Sequence, residues 1–184
     1  MMERAFVSVG SNIDPENNVI KAVRLLGAQT HVRAISTVYL TEPIGRAGQP
    51  PYYNCMLEIE TVMPPLDLKR TVLRHIEDSL GRVRNKDKFA PRTIDLDLVL
   101  YDGITMDAEE LTLPDPEILH RPFLAFSLHE LAPDLILPGS GARIADVAAG
   151  MQRETMNPLE SYTDMLREEI GHGSKHGKDP ESRS

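Results

Sequence analysis

Between Gly81 and Leu100 the chain reads GRVRNKDKFAPRTIDLDLVL, and this stretch holds the residues best suited to chemistry. Asp95 and Asp97 alternate with Ile94, Leu96, Leu98 and Leu100, the period of a half-buried β-strand. Side chains two apart on a strand share a face, with Cα atoms ~6.6–7 Å apart, so both carboxylates point the same way. Aspartate is depleted in strands. Two like charges this close cost ~2–3 kcal/mol at an effective dielectric of ~20, and less if fully wet. A divalent cation is the simplest offset, since hard ions such as Mg²⁺ take carboxylate oxygens and are completed by substrate phosphates.

The residues just before the acid pair carry the opposite charge. Arg82, Arg84, Lys86, Lys88 and Arg92 crowd the segment that leads into the strand, and Pro91 keeps Ala90 out of the α region, so that segment enters as a loop. Guanidinium forks suit phosphate oxygens. Acids for a metal beside arginines for phosphate are what a nucleoside-triphosphate site needs. The same spacing also fits a solvated strand face next to a charged surface loop, and the pattern alone leaves both readings open.

The elements that position these residues follow from the rest of the chain. It has 184 residues, enough for one domain with a proper core. A net charge of -8 argues against general affinity for nucleic acid or membranes, so an anionic substrate needs a local basic cluster. One cysteine, Cys55, allows no intrachain disulfide and suits a reducing compartment. The N-terminus shows no signal-peptide pattern, no apolar run is long enough to span a bilayer, and a cytoplasmic protein is expected.

Residues 4–9 alternate as a strand, GSN turns the chain, and Asp14 and Pro15 open a helix whose stripe is Val19, Ile20, Val23 and Leu26. The turn lacks the P-loop lysine signature and reads as structural. A second strand is expected at 32–40. Residues 41–51, TEPIGRAGQPP, make a connection much longer than a hairpin loop, and such loops are often functional. Strand three, 52–62, puts Cys55, Leu57 and Ile59 on one face and Tyr52, Asn54, Met56 and Glu58 on the other. Cys55 reads as core, not nucleophile. Pro65 opens a second helix with Leu68, Val72, Leu73, Ile76 and Leu80 on its stripe, strand four follows at 93–100, and Asp102-Gly103 signals a hairpin.

This order predicts an α+β fold, a ferredoxin-like βαββαβ core with an antiparallel sheet and helices packed on it. RPFLAFSLHEL and ARIADVAAGM are extra C-terminal helices able to cover the other face. The expected organisation is a catalytic domain over 1–156, an amphipathic helix over 157–170 and a disordered tail over 171–184. His172 and His176 have a metal-like spacing, which a Gly/Ser tail most simply leaves solvated.

With GRVR followed by PRTIDLDLVLYDG in view, the chain resembles the 6-hydroxymethyl-7,8-dihydropterin pyrophosphokinase family of folate biosynthesis over residues 4–140. VSVGSN with DPENN, STVYLTEPIG with QPPYYN, and RPFLAFSLHELAP support it. The resemblance implies diphosphate transfer from ATP to the pterin hydroxymethyl group, releasing AMP, with two Mg²⁺ held by Asp95 and Asp97. It implies that Arg82 and Arg92 stabilise phosphate charge, that Glu77, Arg84, Arg92 and Arg121 meet ATP, and that Thr41, Glu42, Pro43, Ile44, Tyr52, Asn54 and Phe123 hold the pterin. Tyr52 and Phe123 would sandwich the ring and Asn54 read its edge. Loops 41–51 and 82–92 would close over the substrates.

Three departures stand out. Phe89-Ala90 replaces the family's Trp-Gly, Pro114-Asp115-Pro116 replaces its Pro-His-Pro, and the chain beyond about 155 has no counterpart in short members. An acid at 115 cannot donate to a phosphate, and His120 is a candidate substitute. A catalytically weak pterin- or nucleotide-binding homologue and a regulatory ferredoxin-like domain are the alternatives. The doubled carboxylate with all four arginines favours the enzyme. Protein partners are not legible.

Overall fold

The computed structural model describes residues 1–43, 48–84, 87, 90–153 and 156–173, with residues 172 and 173 described by backbone alone. Strand β1 (Glu3–Ser11) leads into helix α1 (Pro15–Gly27), then β2 (His31–Ile35), β3 (Tyr39–Thr41) and β4 (Tyr52–Thr61). A continuous helical stretch follows: α2 (Pro65–Asp67), a π-helical turn (Leu68–Leu73) and α3 (Arg74–Ser79). Then come β5 (Asp95–Tyr101), β6 (Met106–Ala108), β7 (Leu111–Leu113), a 3₁₀ turn (Pro116–Leu119), α4 (Pro122–Leu131), α5 (Ile144–Ala149), β8 (Met156–Pro158) and α6 (Glu160–Gly173).

The main sheet runs β5-β1-β4-β3-β8, with β2 also paired to β4, and every pairing is antiparallel. Each face buries its own apolar layer. Val7, Val9, Cys55, Leu57, Ile59, Leu96 and Leu98 pack under α1 and the α2–α3 stretch, and Phe6, Met56 and Leu100 pack under α4 and α5. The extra helices therefore cover the second face, as their patterns predict. Cys55 is fully buried in the first layer, and burial pushes its thiol up to about 12, as a core cysteine requires.

Four local expectations need correction. The strand at 32–40 is two strands, β2 and β3, both on β4 and separated at Ser36–Val38. In β5 the register against β1 slips, Val7 facing Leu98 and Phe6 facing Leu100, so Val99 is a bulged extra residue. Leu100 consequently turns to the α4 layer and away from Leu96 and Leu98. Asp102 does adopt a left-handed φ of 43°, but among the described residues β5 pairs with β1 alone, and the hairpin lies later, between β6 and β7. Asp14 caps α1 by no side-chain bond; it sits at φ 44° and accepts from the Asn17 side chain at 2.8 Å.

Candidate active site

The polar face of the sheet becomes a floor because residues of neighbouring strands fall in rows. Asp95 faces Gly10 across β5–β1, and Gly10 faces Asn54 across β1–β4. Asp97 faces Ser8, and Ser8 faces Met56. Thr41 faces Tyr52 on one side and Met156 on the other. Above these rows opens a cleft of about 630 Å³, lined among others by Asp95, Asp97, Arg92, Asp115 and Arg121 towards one side and by Thr41, Glu42, Tyr52, Asn54, Phe123 and Met156.

The charged part is tied together before any substrate arrives. Gly81, at φ 75°, ends the helix; its N–H reaches Asp78 O at 3.1 Å and the next, Arg82, reaches Glu77 O at 3.0 Å. That paired closure with a left-handed glycine delivers Arg82 directly beside the helix end. The Arg82 guanidinium joins Glu77 and, at 2.5 Å, Asp95 Oδ1, while Arg92 joins Asp95 Oδ2. Glu77 is only 4% exposed, accepts the Leu96 N–H at 2.8 Å and binds Arg84 at 2.7 Å. Burial raises the Glu77 carboxyl above its ordinary value, with the Leu96 N–H and the arginines pulling the other way.

Asp97 opens to the cleft at the bottom of its floor. The surrounding protein, then the charges of Asp95 and Glu77, push its carboxyl up to about 7. Tyr52 is also raised, by burial first. Asp115 lines the cleft, but its Oδ1 accepts the Glu117 N–H at 2.9 Å, so it caps the 3₁₀ turn. Arg121 bonds Glu117 at 2.6 Å, and His120 lines the cleft beside it in sequence.

Thus the structure brings Asp95, Asp97, Arg92, Arg121, Thr41, Glu42, Pro43, Tyr52, Asn54 and Phe123 to one cleft. Glu77, Arg82 and Arg84 do not line it but join its charged part, Glu77 turned inward to accept the Leu96 N–H and Arg82 and Arg84 bonded to Glu77. Arg84 also pairs with Asp78. Ile44 of the pterin set, together with Lys86, Lys88, Phe89 and the tail from 174 with His176, lies outside the described residues. Among the described residues no group of three or more His, Cys, Asp or Glu could by itself hold a metal. A pair of hard oxygen donors on one face does fit an ion whose remaining ligands are phosphates and water.

Residues without an assigned role in the sequence matter here. A Cβ on Gly10 would lie 2.8 Å from Asn54 Oδ1, so glycine makes room for the Asn54 side chain, which donates to Thr41 Oγ1 at 2.6 Å. A lone glycine inside an alternating strand is the signal for such an approach. Asn12, of the GSN turn, is 3% exposed and works as a clamp. It accepts the Arg92 N–H at 2.8 Å, donates its own N–H to Arg92 O at 3.1 Å, and donates its amide to Pro50 O at 3.2 Å. Ser11 Oγ donates to Thr93 O at 2.6 Å. The turn is structural, and it locks the loop before β5 to the end of the 41–51 connection.

The sequence profile of the 7,8-dihydro-6-hydroxymethylpterin-pyrophosphokinase family matches residues 6–133. The chain belongs to that family. A 2-amino-4-hydroxy-6-hydroxymethyldihydropteridine pyrophosphokinase from Haemophilus influenzae is 36% identical over 143 residues, covering 76% of this chain and 88% of that protein. One from Pseudomonas aeruginosa is 33% identical over 162 residues, covering 86% and 98%. Among solved structures, the Plasmodium falciparum HPPK-DHPS wild type with pteroate superposes with a TM-score of 0.66 at 12% identity. That match covers 82% of this chain and 44% of the other, and at such identity it speaks for the fold alone. The profile match ends at residue 133, whereas the Pseudomonas aeruginosa relative covers 86% of this chain and so reaches beyond that point.

Proposed function

We propose that the protein transfers diphosphate from ATP to the hydroxymethyl group of 6-hydroxymethyl-7,8-dihydropterin, giving AMP and the pterin diphosphate ester in folate biosynthesis. One observation carries this reading: a single cleft joins the Asp95–Asp97 pair and its arginines to an aromatic and amide surface of Tyr52, Asn54 and Phe123. A purely regulatory domain has no use for two carboxylates held at one spot, and that alternative is not favoured.

In this reading Asp95 and Asp97 would hold Mg²⁺, two ions by the family's pattern, together with oxygens of the bound nucleotide. Bound Mg²⁺ neutralises phosphate charge and lowers the proton affinity of the pterin hydroxyl. Tyr52 and Phe123 stack on the flat ring, and Asn54, fixed by Thr41, reads its edge. The pterin oxygen is thereby held in line with the β-phosphorus; the new O–P bond forms as the bridge to the α-phosphate breaks, AMP leaves and the hydroxyl proton passes to solvent. Arg82 and Arg92 exchange Asp95 for phosphate oxygens and carry the charge that develops there; Arg84 and Arg121 bind ATP. Glu77 orients Arg82 and Arg84 from below. Loops 41–51 and 82–92 close to exclude water.

The antiparallel core β1-α1-β2/β3-β4-α2/α3-β5 is read as ferredoxin-like, with residues 1–156 as the pyrophosphokinase domain; the helix expected over 157–170 is α6 (Glu160–Gly173), since residues 156–158 are strand β8, and the tail begins after Gly173. A buried, single cysteine suits a cytoplasmic setting, and no helix among the described residues is long and apolar enough to cross a membrane. Phosphorus NMR after incubation with ATP, Mg²⁺ and the pterin tests the reaction. AMP with a diphosphate ester is expected; ADP with a monophosphate ester, or no turnover, refutes it.

A further inference from the structure

The chain returns to the cleft after the family match ends at residue 133. β8 pairs with β3, setting Met156 opposite Thr41, and Met156, 8% exposed, lines the cleft together with Thr41 and Phe123. β3 itself is only Tyr39–Thr41, cut from β2 at Ser36–Val38. A strand that short, at a break, needs its backbone groups served from elsewhere.

Residues beside and within α6 serve them. The Val38 N–H donates to Thr163 Oγ1 at 2.9 Å, and Val38 O accepts the Leu159 N–H at 2.8 Å. Thr163 is 2% exposed and donates back to Leu159 O at 2.8 Å. Arg167 donates to Ile35 O at 3.3 Å and to the Glu130 carboxylate at 2.9 Å, and that carboxylate also accepts the Thr37 N–H at 3.0 Å. Each residue of the break is thus bonded from α6 or from a group α6 holds, except Ser36, which exchanges bonds with Met56 at 2.9 Å.

We propose that residues 156–173 are part of the substrate site. Met156 is a specificity-determining residue that forms an apolar side wall for the pterin ring, and Thr163 is a positioning residue. By fixing Val38, Thr163 sets where β3 places Thr41, and Thr41 orients the Asn54 amide. The identity of the ligand rests on the pyrophosphokinase reading. An unbranched thioether suits this place because it adapts to the edge or face of a flat ring. Met156 faces Thr41 across β8–β3, and Thr41 bonds Asn54, so the segment acts on the pterin side and the two substrates should respond differently.

Steady-state kinetics and amide exchange on the full chain decide it. Met156→Ala should raise the KM for the pterin about tenfold, as expected from losing one buried apolar wall. The KM for ATP should stay put, and Met156→Leu should restore most of the affinity. Thr163→Val should raise the pterin KM and speed amide exchange at Tyr39–Thr41, with Thr163→Ser rescuing both. An unchanged pterin KM in Met156→Ala, or an equal rise in both KM values, overturns the wall. Unchanged exchange at Tyr39–Thr41 in Thr163→Val overturns the positioning. If the wild type makes no AMP, the pyrophosphokinase reading falls instead, and the exchange measurement still decides the role of Thr163.

Discussion

At the β5 end of the cleft, Asp95 is gripped by Arg82 and Arg92 with Asp97 two residues on. At the β3 end, Glu42 beside Thr41 is the one charged residue among the described residues that line it; Thr41, Tyr52, Asn54 and Met156 carry no charge, and what fixes them is strand pairing and one amide bond. The charged end has its partners in place in the free protein, so on the proposed reading binding there is an exchange of partners, arginines leaving a carboxylate for phosphate. The neutral end has little to exchange and must be right in shape beforehand. Damage at the first end should therefore appear in turnover, and damage at the second in pterin affinity.

The largest expected effect is at Asp97. Asp97→Ala and Asp95→Ala should each lower turnover at least about a thousandfold, the several kcal/mol of charge stabilisation that a catalytic metal supplies. Asp97→Asn separates function from folding. The folded carboxyl lies at about 7, above the ~3.9 of an unfolded chain. The native state therefore binds the proton more tightly, and this contribution to stability is complete below the unfolded value and lost as pH rises through the folded one. Melting curves of the chelated wild type should fall between pH 4 and 7 relative to Asp97→Asn, with the variant more stable at pH 8 and inactive. Parallel curves would remove the acid pair as a strained element.

Next come the arginines. Arg82→Ala and Arg92→Ala should reduce single-turnover rates about 10²–10³-fold, the loss typical of removing one charge-stabilising donor. Arg84→Ala, more exposed and shared with Asp78, should mainly weaken ATP. Arg82→Ala also leaves buried Glu77 without one partner, so its melting temperature should drop more than that of Arg84→Ala. An Arg82→Ala enzyme altered in ATP affinity alone would erase the contrast between the two ends.

How much of this the sequence carried differs in the same way between the ends. The alternation around Asp95 and Asp97 announces a strand with two carboxylates on one face, and Arg82, Arg84 and Arg92 stand in the segment that leads into it, so the charged end is written locally. The inward turn of Glu77 is not, because it depends on the Leu96 N–H of another element. The neutral end is assembled from β1, β3, β4 and β8, and only pairing reveals that Gly10 clears space for Asn54. The bulge at Val99 is invisible because leucine suits either buried face, so Leu100 could turn without any change in hydropathy. The break in β2–β3 depends on bonds from α6, more than 100 residues away (|i−j| = 125 for Val38 and Thr163).

Gly10→Ala probes the neutral end. The new methyl would meet Asn54 Oδ1 at 2.8 Å, the movable tip of a side chain. Asn54 can yield, so the stability loss should sit near the low end of the ~1–3 kcal/mol of overpacking. What yields is the amide bonded to Thr41, and the pterin KM should rise about tenfold with the ATP KM unchanged, roughly the worth of one good hydrogen bond. A turnover defect without a change in pterin affinity would place Gly10 with the charged end.

The smallest effect is expected at Asp115, the acid that stands where the family resemblance leads one to expect histidine. Its carboxylate lines the cleft, so it opposes incoming phosphates, and it also caps the 3₁₀ turn through the Glu117 N–H. Burial holds its carboxyl above the ordinary value, with that N–H pulling it down. Histidine at this place removes the charge and the cap together, so any gain in ATP affinity comes with a loss of about 1 kcal/mol of cap stability. Asparagine separates the two, because its side-chain oxygen can accept the same N–H without a charge. Asp115→Asn should keep the melting temperature and tighten a non-hydrolysable ATP analogue with Mg²⁺ by a few-fold, the ~1 kcal/mol of a charge repulsion at this range in water. The gain should shrink as salt is added. Calorimetric titration reads it, and an affinity unchanged in Asp115→Asn would leave capping as the whole role of this carboxylate.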